Sequence, residues 1–308
     1  MGLPVILDAD IGGEPDDAMA LVIAARELPE LTLVLTSDEM SGQRGRFARL
    51  LLDAAGRPDV PVVAGRQLSA TPCFFAAGLT PRSVVAQPDD VAAAVRAACG
   101  RAGGAARWIG LGPLSNLAAL LSRDPGLAQR LFITQLTGTV NRGDPALPPR
   151  NFRLDPGAAR QVLSAARYLR LVGFDAAGRP GCEITAATPV FRELAGAAGV
   201  PGAAGAPVPP WAGLLTSHCR QFFARYHPAV LPADPLALSA ALRLPFTPFA
   251  WAVLTADAAG RISERRGGRA VLLSQDIDYP AFARWLQARL DPRPRPQAGR
   301  HRVVPVPA

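Results

Sequence analysis

Asp8, Asp10, Glu14, Asp16 and Asp17 fall within ten residues of one another, in the stretch LPVILDADIGGEPDDAMAL from Leu3 to Leu21. Carboxylates this close repel, and each raises the pKa of its neighbours. A hard divalent cation cancels that cost, and an oxygen-rich set of this kind suits Ca²⁺ or Mg²⁺. Gly12 and Gly13 let the backbone turn tightly beside the charges. The competing reading is an acidic N-cap in a solvated loop, because Asp and Glu favour helix N-termini.

The elements around this turn follow from periodicity. Leu3 to Leu7 is an apolar run that reads as a buried strand, and a helix starts near Pro15 and stays apolar through Ala18, Leu21 and Ile23. Carboxylates at the C-terminal end of a first strand stand where open α/β folds place their sites. Further strands are expected at Leu31 to Ser37, Val60 to Ala64, Arg107 to Leu111, Leu131 to Leu136 and Tyr168 to Phe174. Helical patterns separate them at Gln43 to Ala55, Asp89 to Arg101, after Asn116, and from Pro156 with Asp155 as its N-cap. This alternation predicts an α/β fold with an open, mainly parallel sheet, flanking helices and right-handed crossovers. Asn141 to Asn151 reads as a polar, Pro-rich loop. Ala186 to Leu244 reads as a helical C-terminal portion, followed by a strand pair at Phe249 to Leu254 and Ala270 to Leu273 and a helix over Tyr279 to Leu290. Residues 1–290 are expected to form a single domain and 291–308, rich in Pro and Arg, a disordered tail.

Composition narrows the classes of function. The chain has 308 residues, 49% of them hydrophobic, enough for a sizeable core. Its net charge is +8, and all 33 basic residues are arginine, scattered without the stripes and interleaved aromatics of a nucleic-acid surface. Cys73, Cys99, Cys182 and Cys219 are widely spaced and make no CxxC pair, which points to a reduced, cytoplasmic protein. No run reaches the ~18 apolar residues of a membrane helix, and no leader pattern opens the chain. No nucleic acid and no membrane partner is expected.

Five motifs in order carry a family resemblance. Asp8-Ala-Asp10 followed by Asp16-Asp17-Ala18-Met19-Ala20-Leu21 resembles the N-terminal signature of the nucleoside hydrolases, the inosine–uridine-type N-ribohydrolases, with two more residues between Asp10 and the Asp pair. VPVVAG from Val60, GLGPLSNL from Gly110, NFRLDP from Asn151 and DPLA from Asp234 resemble later segments of that family in order and spacing. The resemblance implies a Rossmann-like core and Ca²⁺-dependent hydrolysis of the N-glycosidic bond of a ribonucleoside or related riboside. It implies that Asp10, Asp17 and Asp234 ligate the metal with the Leu111 carbonyl, an all-oxygen set of the kind Ca²⁺ prefers. Asp16 would be the general base toward water, and Asn151 would bond a ribose hydroxyl, while Asp8 supports the turn. A homo-oligomer and a small-molecule nucleoside partner are the matching expectations.

Departures from the pattern set further expectations. The family commonly has His just before its C-terminal Asp, where this chain has Ala233. His227, seven residues before Asp234, could reach the leaving base, as could stacking on Phe74, Phe75 or Trp251. The family's Glu two residues before its ribose Asn is Pro149 here, with Asn141 as a further ribose contact and Arg142, Arg150 and Arg153 nearby. Arginine suits phosphate, so an anionic or otherwise modified 5′ end is one expectation. Asp38 or Glu39 is expected at the ribose edge in place of a family Asn. Two other readings stand beside hydrolysis: a riboside-binding homologue without catalysis, and a Mg²⁺-dependent phosphatase built on the acidic turn. Glu14 has no assigned role.

Overall fold

The computed structural model describes residues 2–100, 104–138, 140, 148–173, 182–199 and 209–293. Strand β1 (Val5–Ala9) is buried at every position, as a central strand covered on both faces must be. Helix α1 (Pro15–Glu27) follows with proline in its first turn, where the missing N–H has no intrahelical role. It is buried continuously from Pro15 to Ala25, so it lies inside the molecule rather than on its surface.

The alternation continues through β2 (Leu31–Thr36), α2 (Gln43–Ala54), β3 (Val62–Val63), α3 (Val91–Gly100), β4 (Ala106–Gly110), α4 (Ser115–Arg123) and β5 (Leu131–Leu136). A short α5 (Arg150–Arg153) precedes α6 (Pro156–Ala165) and β6 (Tyr168–Val172). Next come β7 (Ile184–Thr185), α7 (Pro189–Gly199), α8 (Pro210–Arg225), β8 (Ala229–Val230) and α9 (Ala233–Ala241). Strands β9 (Phe249–Ala256), β10 (Ile262–Glu264) and β11 (Arg269–Ser274) and helix α10 (Tyr279–Leu290) complete the described chain.

Across the main sheet the strands run β3, β2, β1, β4, β5, β6, β11, β9, β10. Pairings are parallel from β3 to β11, and β9 is antiparallel to both its neighbours. Strands β7 and β8 form a separate antiparallel pair. The order reverses between β1 and β4, which makes that junction the switch point where such sheets open a crevice. Asp8 on β1 is level with Gly110 on β4.

Two cores sandwich the sheet. One packs α1, α2, α8, α9 and α10 around Met19, Phe47, Phe222 and Phe282. The other packs α3, α4 and α6 around Trp108 and Leu117.

The expected alternation and the mainly parallel sheet are present, and Asp155 caps α6 by accepting the Ala158 N–H at 3.0 Å. Strand β3 pairs only at Val62–Val63, because Pro61 has no N–H to give the ladder. The expected pair Phe249–Leu254 and Ala270–Leu273 is antiparallel as read, but β10 adds a third strand, and β11 joins β6 in the main sheet. The part of the chain beyond residue 244 is therefore as much strand as helix. Residues 294–308, the bulk of the expected tail, lie outside the described residues. Among the described residues no helix is long and apolar enough to cross a membrane.

Candidate active site

Two helix starts meet at the switch point. Asp16 and Asp17 occupy the first turn of α1, and Asp234 the first turn of α9, which packs against α1. One carboxylate oxygen from each of the three lies within 4.8 Å of the others, and all three residues are buried. The Asp234 backbone N–H donates to Asp16 Oδ2 at 3.3 Å. Both helix N-termini present their positive ends here, the favourable end for anionic side chains.

The electrostatics are those of crowded, desolvated acids. Burial and then the Glu14 charge push the Asp16 carboxyl up to about 8. Asp17 is raised well above the ordinary carboxylate range by burial, then by Asp10 and Asp16. Asp234 is raised by burial, then by Asp16 and Asp17. Asp17 Oδ1 and Asp234 Oδ1 are buried and meet no hydrogen-bond partner among the described residues. Orphaned, buried, hard oxygens converging on one point fit a divalent cation.

The cleft over this cluster is walled by Leu111, Leu136 and Leu231 and also receives Asp10, Glu14, Arg150 and Asn151. Asp10 Oδ2 lies 3.3 Å from Arg150 Nη2. The Asn151 side-chain amide donates to the Leu111 carbonyl. Glu14, in the two-residue insertion, lies just before α1 and lines the cleft; burial raises its carboxyl, against the lowering influence of Arg150. His227 is exposed, within electrostatic reach of Glu14, with Nδ1 3.0 Å from the Ala229 carbonyl oxygen.

The turn is held from beneath by groups outside the cleft. Asn116 donates to Asp8 Oδ1 and to the Thr36 carbonyl, each at 3.0 Å, and so joins β1, β2 and the start of α4. Burial, against the Asn116 bond, pushes the Asp8 carboxyl up to about 7. Ser115 donates to Asp155 at 2.7 Å, which joins α4 to the cap of α6. Arg44 is completely buried: its Nε donates to the Asp38 carbonyl at 2.7 Å, its Nη1 to the carbonyls of Asp10 and of Ile11 (2.9 Å), and its Nη2 to the Cys73 carbonyl at 2.8 Å. His218 places Nε2 3.1 Å from the Gly13 carbonyl. Gly12 has φ +89°, and a Cβ there would stand 2.4 Å from the Phe74 ring. At Gly112 a Cβ would meet Ser37 Oγ at 2.4 Å and the Asp10 nitrogen at 2.9 Å.

The structure thus brings together Asp10, Asp16, Asp17, Leu111, Asn151 and Asp234, whereas His227 stays outside the cleft lining, within electrostatic reach of Glu14. It does not bring Glu39, Phe75 or Trp251 to the cleft. Glu39 is buried, and its carboxylate accepts from Thr36 Oγ1 at 2.5 Å, the Gly45 N–H at 2.7 Å and the Met40 N–H at 3.0 Å, so it serves the start of α2. Asp38 likewise accepts from Ser69 N–H at 2.7 Å and from Ser69 Oγ at 2.8 Å. Phe75 packs edge-on against Phe222. Trp251 is 74% exposed on β9, on the far side of the sheet from β1. Asn141 and Arg142 lie outside the described residues. Arg44, Asn116 and Glu14 are the residues whose parts were not foreseen. The spacing of Arg44 to Phe47, Ala48, Leu51 and Leu52 puts it on the buried stripe of α2, a legible signal.

The fold has counterparts. Residues 5–284 match the family described as inosine-uridine preferring nucleoside hydrolase, and the chain belongs to that family. A plant nucleoside hydrolase superposes with a TM-score of 0.75 at 21% identity, covering 94% of this chain and 99% of that one. The inosine-uridine preferring nucleoside hydrolase from Bacillus anthracis superposes at 0.72 with 18% identity, covering 95% and 100%. The type III effector XopQ, in complex with adenosine diphosphate ribose, superposes at 0.67 with 20% identity, covering 94% of each chain. These likenesses establish the fold. An uncharacterized protein of Schizosaccharomyces pombe is 26% identical over 190 residues, covering 56% of this chain and 61% of its own length. The chain thus matches about three fifths of that curated relative.

Proposed function

We propose that the protein hydrolyses the N-glycosidic bond of a ribonucleoside or related riboside with a bound divalent cation, Ca²⁺ by its all-oxygen donors. The observation that carries this reading is the convergence of Asp16, Asp17 and Asp234 beneath a cleft that also holds Asn151. Asp10, Asp17, Asp234 and the Leu111 carbonyl would hold the cation. When bound, the cation supplies Lewis acidity that acidifies the attacking water and anchors the ribose hydroxyls. Asp16 accepts the proton of that water as the general base. The surrounding carboxylates favour the positive charge that develops on the sugar as the bond to the base breaks. Asn151 orients a ribose hydroxyl, and the walls of Leu111, Leu136 and Leu231 exclude competing solvent. With Ala233 in place of a histidine, His227 is the imidazole nearest in sequence to Asp234 that could protonate the departing base.

The decisive experiment is base release from a panel of ribonucleosides by the Ca²⁺-loaded protein, compared with Asp16→Ala. Calorimetric binding of ribosides with no base release over hours would replace this reading with that of a binding homologue. Arg150 favours a second substrate form, a riboside carrying a 5′-phosphoryl group, in keeping with the ADP-ribose held by the XopQ neighbour. Equal turnover of inosine and its 5′-monophosphate, unchanged in Arg150→Ala, would exclude it. A reduced cytoplasmic setting and a homo-oligomeric state complete the proposal. Size-exclusion chromatography with light scattering tests the oligomer.

A further inference from the structure

We propose that Arg150 is a resident counter-ion that competes with the divalent cation for Asp10 and thereby sets how tightly the cleft takes the metal up. This rests on the cation site proposed above. Its basis is what the short turn α5 touches. Arg150 Nη2 lies 3.3 Å from Asp10 Oδ2, and the next residue, Asn151, donates to the Leu111 carbonyl. Two successive residues of one turn therefore engage two of the groups assigned to the cation. The other two assigned groups are different: Asp17 Oδ1 and Asp234 Oδ1 are buried and meet no partner among the described residues. The ligand set is split into a half served by protein donors and a half that is not.

The direction of the effect follows from charge. A guanidinium and a divalent ion repel each other and cannot both hold Asp10 at full strength. Arg150 is the only cationic residue among the described residues of the cleft wall. Its side chain is 32% exposed and that of Asp10 only 9%, so the guanidinium has room to leave toward solvent while the carboxylate stays. The attachment is also one-ended. Arg150 Nε is buried and meets no acceptor among the described residues, whereas all three nitrogens of Arg44 donate to fixed carbonyls. Arg44 is clamped, and Arg150 is held by its tip.

The test is calcium titration calorimetry on chelator-treated wild type, Arg150→Met, Arg150→Gln and Arg150→Lys at one pH and low ionic strength. The two neutral variants should bind Ca²⁺ about tenfold more tightly or better, and Arg150→Lys, which keeps the charge, should stay within about threefold of wild type. Two neutral side chains of different polarity are used so that misfolding of one, seen by circular dichroism, leaves the other. Neutral variants that bind Ca²⁺ no more tightly than wild type would overturn the competition. Absence of Ca²⁺ binding by wild type and every folded variant would instead overturn the cation site, and this inference with it.

Discussion

Asn116, on the first turn of α4, donates its side-chain amide to Asp8 Oδ1 at 3.0 Å. The bond crosses from β1 to the element following β4, the two strands between which the sheet reverses its order. Both residues are buried, so neither atom can turn to water instead. Asn116→Ala should cost about 1–3 kcal/mol, the desolvation penalty of an unpaired buried acceptor. Urea denaturation followed by circular dichroism measures it, and a loss within experimental error of zero would mean that Asp8 finds another donor.

Arg44 ties the acidic turn to the segments of Asp38 and Cys73 by four carbonyls. Arg44→Met keeps the bulk and removes every donor. The expected loss is about 3–5 kcal/mol, the range for breaking a buried charged network. It should show as a large drop in thermal midpoint and, where the variant folds, as weakened Ca²⁺ binding through disorder of Asp10.

The carboxylates of the cleft are expected to separate by function. Asp16→Ala should lose base release by about a thousandfold or more while still binding Ca²⁺, since a positioned base is removed and the other donors remain. Asp17→Ala and Asp234→Ala should lose Ca²⁺ binding as well. Calorimetry and single-turnover base release distinguish the two patterns. Full activity in Asp16→Ala would reassign the base.

His218 makes a contribution to the pH dependence opposite in sign to that of the buried carboxyls. Burial holds its imidazole down at about 4, against an ordinary value of 6.5. A depressed histidine means that the unfolded chain binds the proton more readily than the folded one. Its contribution is full above pH 6.5 and is lost as the pH falls through the window toward 4. The loss is on the order of 3 kcal/mol across that window. His218→Gln should remove this one contribution, so the difference in stability between wild type and variant should grow as the pH rises from about 4 to 6.5, which paired denaturant titrations at a series of pH values would reveal.

Removal of the cation should also be visible without any substrate. Saturating Ca²⁺ at about a hundred times its dissociation constant stabilises by about 2.7 kcal/mol, so chelation should lower the thermal midpoint by several degrees. An unchanged midpoint would separate the acidic cluster from metal binding.

Much of the fold could be read from periodicity, because parallel strands are apolar runs of a few residues and their crossover helices carry a 3.6-residue stripe. The acidic turn was legible for the same local reason: five carboxylates within ten residues have few stable arrangements. The distant partner, Asp234, emerged only through the ordered family motifs, since nothing in DPLA itself announces a contact with residue 16. Glu39 and Trp251 show what spacing does not contain. Glu39 sits close in sequence to the end of β2, yet its oxygens are taken by local N–H and O–H donors. Trp251 is apolar and aromatic, yet its strand joins the sheet beyond β6, away from the switch point. Local chemistry decides the first case and long-range topology the second, and neither is encoded in a pattern along the chain.

The main sheet ends in a two-residue strand on one side and a three-residue strand on the other, β3 and β10. Each border strand by itself offers few free amides and carbonyls to a neighbour, but β9 runs past β10, and among the described residues 249–252 have no strand partner on that side. Edge-to-edge pairing of sheets would therefore have to use that stretch of β9 rather than the border strands themselves.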